Sequence, residues 1–117
     1  MIFPSQAVKI VVATKPVDFR KGHDGLAMVV QNELGLDPHS GIIVVFRAKR
    51  GDRIKVLLWD GSGLVMAYKR LELGKFAWPS ISGGVTRLSK GPFEALFEGL
   101  DWRRVLAHRV RKPGAAE

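Results

Sequence analysis

The chain has no cysteine. That excludes a disulfide framework, a thiol nucleophile and a cysteine-based zinc site, and it is compatible with a reducing compartment. Histidine is scarce, and His23, His39 and His108 have no metal-ligand spacing. Long apolar runs are missing too: no stretch approaches the roughly 20 apolar residues of a membrane span. The opening residues, Met1-Ile2-Phe3-Pro4-Ser5-Gln6, lack the basic region and apolar run of a secretory leader. A soluble, cytoplasmic protein is therefore expected.

Catalytic signatures are equally thin. Gly22-His23-Asp24-Gly25 lacks the Gly-Lys-Ser/Thr ending of a phosphate-binding loop. Ser62 and Ser82 have no nucleophile-elbow context. Metal-dependent strand transfer needs several carboxylates converging on two cations. Asp18, Asp24, Asp37, Asp52, Asp60, Glu72 and Asp101 are instead scattered, mostly at turns and caps. The sequence predicts no enzyme, no cofactor and no metal.

What is present is a core and a charge. Hydrophobic residues make up 46% of the 117, enough for one folded domain and against global disorder. Lys plus Arg number 19 against 11 Asp plus Glu, a formal net charge of +8. Such a surplus favours a polyanionic partner, most often nucleic acid.

Along the chain, residues 7–13 alternate as a strand with Val8, Ile10 and Val12 on one face. Asp18 stands where an N-cap would, ahead of a helix to about Leu34 with Leu26, Val29, Val30 and Leu34 as its buried stripe. Gly35 is its C-cap. Three strands follow, at residues 42–47, 53–60 and 64–72, linked by the loop 48–52 and the glycine turn Gly61-Ser62-Gly63. Short links imply an antiparallel meander. Residues 85–88 read as a short edge strand. Residues 92–99 form a helix with Phe93, Leu96 and Phe97 in phase, and Trp102 packs back. The order predicts an α+β fold: an antiparallel β-meander with an N-terminal β-α unit and a short C-terminal helix, the helices on one face. Residues 1–105 make the domain, and 106–117 are a basic, frayed tail.

The basic residues of the central strands are the most informative feature. A five-residue loop after Arg47 and a three-residue turn after Asp60 set Arg47 opposite Arg53 and Lys55 opposite Lys69. Like charges directly across strands destabilise a sheet, so such a ladder belongs on a solvated face with an anion to neutralise it; a one-residue slip scatters it to both faces. Lys49 and Arg50 lie at the hairpin tip, Arg70 follows Lys69, and Arg20 and Lys21 open the helix. These nine side chains can track phosphates, with Phe46, Trp59 and Tyr68 interleaved for stacking on bases. The same residues also fit an ordinary solvated basic face over a core of aromatics. Arg103-Arg104 and Arg109-Val110-Arg111-Lys112 can add phosphate contacts as a flexible arm.

Particular strings carry a resemblance. Asp18-Phe19-Arg20-Lys21-Gly22 with Asp24-Gly25-Leu26, Asp37-Pro38 with Ser40-Gly41, Val45-Phe46-Arg47, and Arg50-Gly51-Asp52-Arg53-Ile54-Lys55 are the first of them. Trp59-Asp60-Gly61 with Gly63, Lys69-Arg70-Leu71-Glu72, Gly74, Phe76, Trp78-Pro79 and Glu98-Gly99-Leu100-Asp101-Trp102 complete the set. Together, from about Val8 to Trp102, they resemble the TnpB accessory proteins of the insertion-sequence-66 family, with Phe19 where that family usually has Met. The resemblance implies a small non-catalytic protein encoded beside a larger transposase that carries the acidic catalytic site, and needed for efficient transposition. It supplies no site residues. It is distinct from the RNA-guided nucleases that share the TnpB label, which are much longer and carry acidic and zinc motifs absent here. Two roles stay open: a DNA-binding module acting at transposon ends, and a subunit that binds the transposase, or another element-encoded protein, without touching DNA.

Overall fold

Most of the strand-forming runs are apolar on both sides of the pleat, and the sheet they build is covered on both faces. The computed structural model describes residues 8–81 and 83–105. Strands β1 (Ile10–Ala13), β2 (Ile43–Arg47), β3 (Arg53–Trp59), β4 (Leu64–Arg70) and β5 (Val85–Leu88) form one sheet in the order β4-β3-β2-β1-β5. β2, β3 and β4 are the antiparallel meander that the short links imply. β1 departs from it. It pairs in parallel with β2, Ile10 beside Ile43 and Val12 beside Val45, while β5 runs antiparallel along its other side. The sheet is therefore mixed and not purely antiparallel. A parallel neighbour needs a crossover rather than a tight turn, and the helix between β1 and β2 provides it.

That helix differs from expectation. α1 (His23–Met28) passes into a π-helical turn over Val29–Glu33. Its N-cap is Gly22, with no side-chain cap bond, and not Asp18. Asp18 closes a separate turn just before the helix: its carboxylate accepts the Arg20 N–H at 2.9 Å and its carbonyl accepts the Lys21 N–H at 3.1 Å. The chain turns away at Gly35, φ +67, which L side chains adopt only with strain.

Two apolar layers result. Leu26, Val29 and Val30 pack on Val11, Val44, Phe46 and Leu57 on one face. On the other, α2 (Lys90–Glu98) sets Phe93, Ala95 and Leu96 against Ile10, Val12, Ile43, Val45, Ile54 and Val56. The helices thus lie on opposite faces. The reason is visible in β2, buried at four of its five residues: with apolar residues at odd and even positions, neither face can be left wet. α2 starts ahead of Pro92, which sits in its first turn where a missing N–H leaves no helical bond unmade. Trp102 is buried against the same layer. The expected tail, 106–117, lies outside the described residues. Among the described residues, no helix is long and apolar enough to cross a membrane.

Candidate nucleic-acid interface

The register decides where the basic residues go. Arg47 stands opposite Ile54 and not Arg53, and Lys55 opposite Tyr68 and not Lys69. In both hairpins one more residue separates the paired positions than the sequence reading assumed: Arg53 in the first, which lies in β3 but pairs only with β4, and Asp60 in the second. In the second, Asp60 belongs to the turn: its carboxylate accepts the N–H groups of Ser62 and Gly63 at 2.9 and 3.0 Å, which pulls its pKa down. Each slip of one residue flips the side chains beyond it. Arg53, Lys55 and Arg70 therefore share the α1 face, while Arg47 and Lys69 share the α2 face. The single-faced ladder does not exist.

Two of the lysines point inward. Lys55 is 4% exposed. Its ammonium donates to the Phe19 and Lys21 carbonyls, 2.8 Å each, and lies 5.1 and 4.9 Å from the ring centroids of Phe19 and Tyr68. Lys69 reaches through the other face to the Phe97 carbonyl at 2.7 Å, near the C-terminus of α2 where a cation is favoured. Its ammonium is also 4.9 Å from the Phe97 ring centroid.

Arg47 is half-buried, 5.3 Å from the Trp78 ring centroid, and burial pulls its guanidinium pKa down. The hairpin tip beside it is fastened by residues 71–79. The Gly51 carbonyl accepts both the Phe76 N–H and the Trp78 indole N–H at 3.0 Å, and the Leu71 N–H donates to the Asp52 carbonyl at 2.9 Å. Gly51 has φ +86, and a Cβ there would meet Lys75 at 3.3 Å. The Trp102 indole in turn donates to the Ala77 carbonyl.

Arg53 and Arg70 form a directly opposed like-charge pair at this end of β3 and β4, which is unfavourable unless offset. Asp52 lies 3.8 Å from Arg53 Nε and Glu72 3.8 Å from Arg70. Arg53 also donates to the Tyr68 hydroxyl at 3.3 Å. Arg20, 92% exposed, is held by Asp18 through its Nε and Nη2 groups, the shortest contact 2.7 Å. The Arg20 side-chain hydrogen bond, then its N–H, push the Asp18 carboxyl down to about 2.

Of the nine, Arg20, Lys21, Lys49, Arg50 and Arg70 are exposed, Arg20 already ion-paired with Asp18 and Arg50 3.9 Å from Asp52. Lys75, exposed on the segment that clasps the tip, joins them; the sequence reading missed it because nothing in the sequence shows that residues 71–79 fold back on the hairpin. Of the three aromatics, Phe46 is fully buried. Trp59 lies at the far end of β3, edge-on to His39. Tyr68, half exposed, packs edge-on to Phe19 among the cations. Among the described residues, no three His, Asp or Glu side chains gather where a metal ion could be held.

These features define a small basic α+β domain with several of its exposed cations, Lys21, Lys49, Arg50, Arg70 and Lys75, at the β2–β3 hairpin end of the sheet. The family described as IS66 Orf2 like protein matches residues 8–107, and the chain belongs to that family of insertion-sequence accessory proteins, which is associated with the transposition machinery. It is 48% identical to the uncharacterized protein y4jC of Sinorhizobium fredii (strain NBRC 101917 / NGR234), over 97% of each chain. It is 40% identical to the uncharacterized protein y4hO of the same organism, over 88% of this chain and 90% of that one. No solved structure matches it.

Proposed function

We propose that this accessory protein binds DNA, chiefly through phosphates, at the hairpin end of its sheet and thereby helps assemble the transposase complex. One observation carries the reading: Lys21, Lys49, Arg50, Arg70 and Lys75 are all exposed around one end of the sheet. The carboxylates there sit no closer than 3.8 Å to Arg50 and Arg70. A fold needs no such crowding of like charge, and a phosphate backbone neutralises it. Arg53 and Tyr68 line the same corner, while Arg47, Lys55 and Lys69 support it from within. The test is binding of nucleic-acid-free protein to labelled transposon-end and scrambled duplexes across a salt series. Tight binding that weakens steeply with salt supports the proposal. Absence of binding at low salt removes it and moves the role to contact with the transposase alone, which co-purification after nuclease treatment then measures.

A further inference from the structure

We propose that Lys55 is a positioning residue, which sets the turn 18–22 so that Arg20 and Lys21 face a DNA backbone; this rests on the DNA reading above. The turn follows the Val17 N–H, which donates to the Arg47 carbonyl, and leans on the sheet through Phe19, edge-on to Tyr68. It precedes α1, whose N-cap Gly22 offers no side-chain bond, and Asp18 bonds only within the turn. The hydrogen bonds that tie the turn's own carbonyls to the sheet come from the ammonium of Lys55, which draws in those on either side of Arg20, of Phe19 and Lys21, at 2.8 Å each. With both carbonyls turned inward, the Arg20 and Lys21 side chains stand in solvent. Lysine suits this place: its compact ammonium, carried on a long stem, donates to both carbonyls while sitting against two aromatic rings. Among the described residues Lys55 pairs with no carboxylate, so its charge adds to the positive potential of the corner it supports. Burying an uncompensated cation is unfavourable, and an apolar residue opposite Phe46 would serve the core equally well.

Lys55→Met in the full chain tests this with two readouts. Trypsin should cut after Arg20 and Lys21 at least tenfold faster than in the wild type. DNA affinity should fall by about 8- to 60-fold at about 0.1 M salt, the loss of one or two phosphate contacts, with a correspondingly shallower salt dependence. Arg20→Ala with Lys21→Ala should produce the same affinity loss, and the triple variant should lose no more than either parent, because the lysine and the turn act as one unit. Unchanged cleavage, or losses that add in the triple variant, overturns the proposal. A wild-type chain that binds no DNA overturns the DNA reading, while the cleavage rate still decides whether Lys55 orders the turn. Should Lys55→Met fail to fold, Phe19→Leu removes one aromatic wall and keeps the ammonium; it is expected to accelerate the same cleavages by a smaller factor, and no acceleration counts against the proposal.

Discussion

The two ends of the sheet close their loops with opposite chemistry. At the β3–β4 turn end, carboxylates accept from backbone N–H groups: Asp60 from Ser62 and Gly63, Asp37 from His39. At the hairpin end, side chains mostly donate to backbone carbonyls: Lys55 to Phe19 and Lys21, Lys69 to Phe97, Trp78 to Gly51, Trp102 to Ala77. Asp18 and Asp101 do accept there, but each is paired with the arginine two residues on. The strongest side-chain acceptors are anions and the strongest donors are cations. Part of the charge separation between the ends is therefore a by-product of loop construction. The comparison teaches which cations are left over at the hairpin end: among the described residues there, Lys21, Lys49, Arg50, Arg70 and Lys75 are exposed and bond no backbone carbonyl through their side chains.

The sharpest way to break this division is to reverse leftover charge. Lys49→Glu, Arg50→Glu and Arg70→Glu together should lower DNA affinity by roughly 500-fold at about 0.1 M salt, three contacts' worth. Urea unfolding of the same variant should shift by no more than about 0.5 kcal/mol, as for surface changes generally. Asp60→Asn, at the opposite end, should leave DNA affinity unchanged. The donors that close loops should behave in the reverse way. Lys55→Met is expected to destabilise the fold by roughly 2–4 kcal/mol, since two carbonyls lose their partner, read from the urea midpoint. Lys69→Met should cost only about 1 kcal/mol, because that lysine is only partly buried and one bond is lost. The smallest effect concerns acid. Asp18 has its pKa lowered in the folded state, so its contribution is complete above the ordinary carboxylate pKa and is lost as pH falls through about 2. Its carboxyl carbon, followed by NMR, should still report the ionised form at about pH 3, where a free Asp is mostly protonated.

Much of the fold was legible in local chemistry. The β-branched runs marked β2, β3 and β4 to within a residue or two at each end, and residues 85–88 became β5 as read. Gly35, Gly61 and Trp102 fell where turn and core chemistry put them. Two features were not legible. The parallel pairing of β1 depends on a crossover whose landing place no local pattern states. The register depends on whether Asp60 and Arg53 count as strand or turn, and that is settled by hydrogen bonds made through the turn itself. One uncertain residue in each hairpin was enough to move Arg47 and Lys69 to the face away from Arg53 and Lys55. The site was half legible for a related reason. Charge and sequence strings brought Arg20, Lys21, Lys49, Arg50 and Arg70 to notice, but a lysine that satisfies two carbonyls is indistinguishable in sequence from one that meets a phosphate.

The Gly51 carbonyl, held from one side by the Phe76 N–H and from the other by the Trp78 indole, makes the hairpin tip a fixed tooth rather than a whip. Its two cations, Lys49 and Arg50, stand on backbone that is already ordered before any encounter. A polyanion meeting them has little loop entropy to overcome, so the speed of that encounter is governed by electrostatic attraction and diffusion rather than by a search through loop conformations.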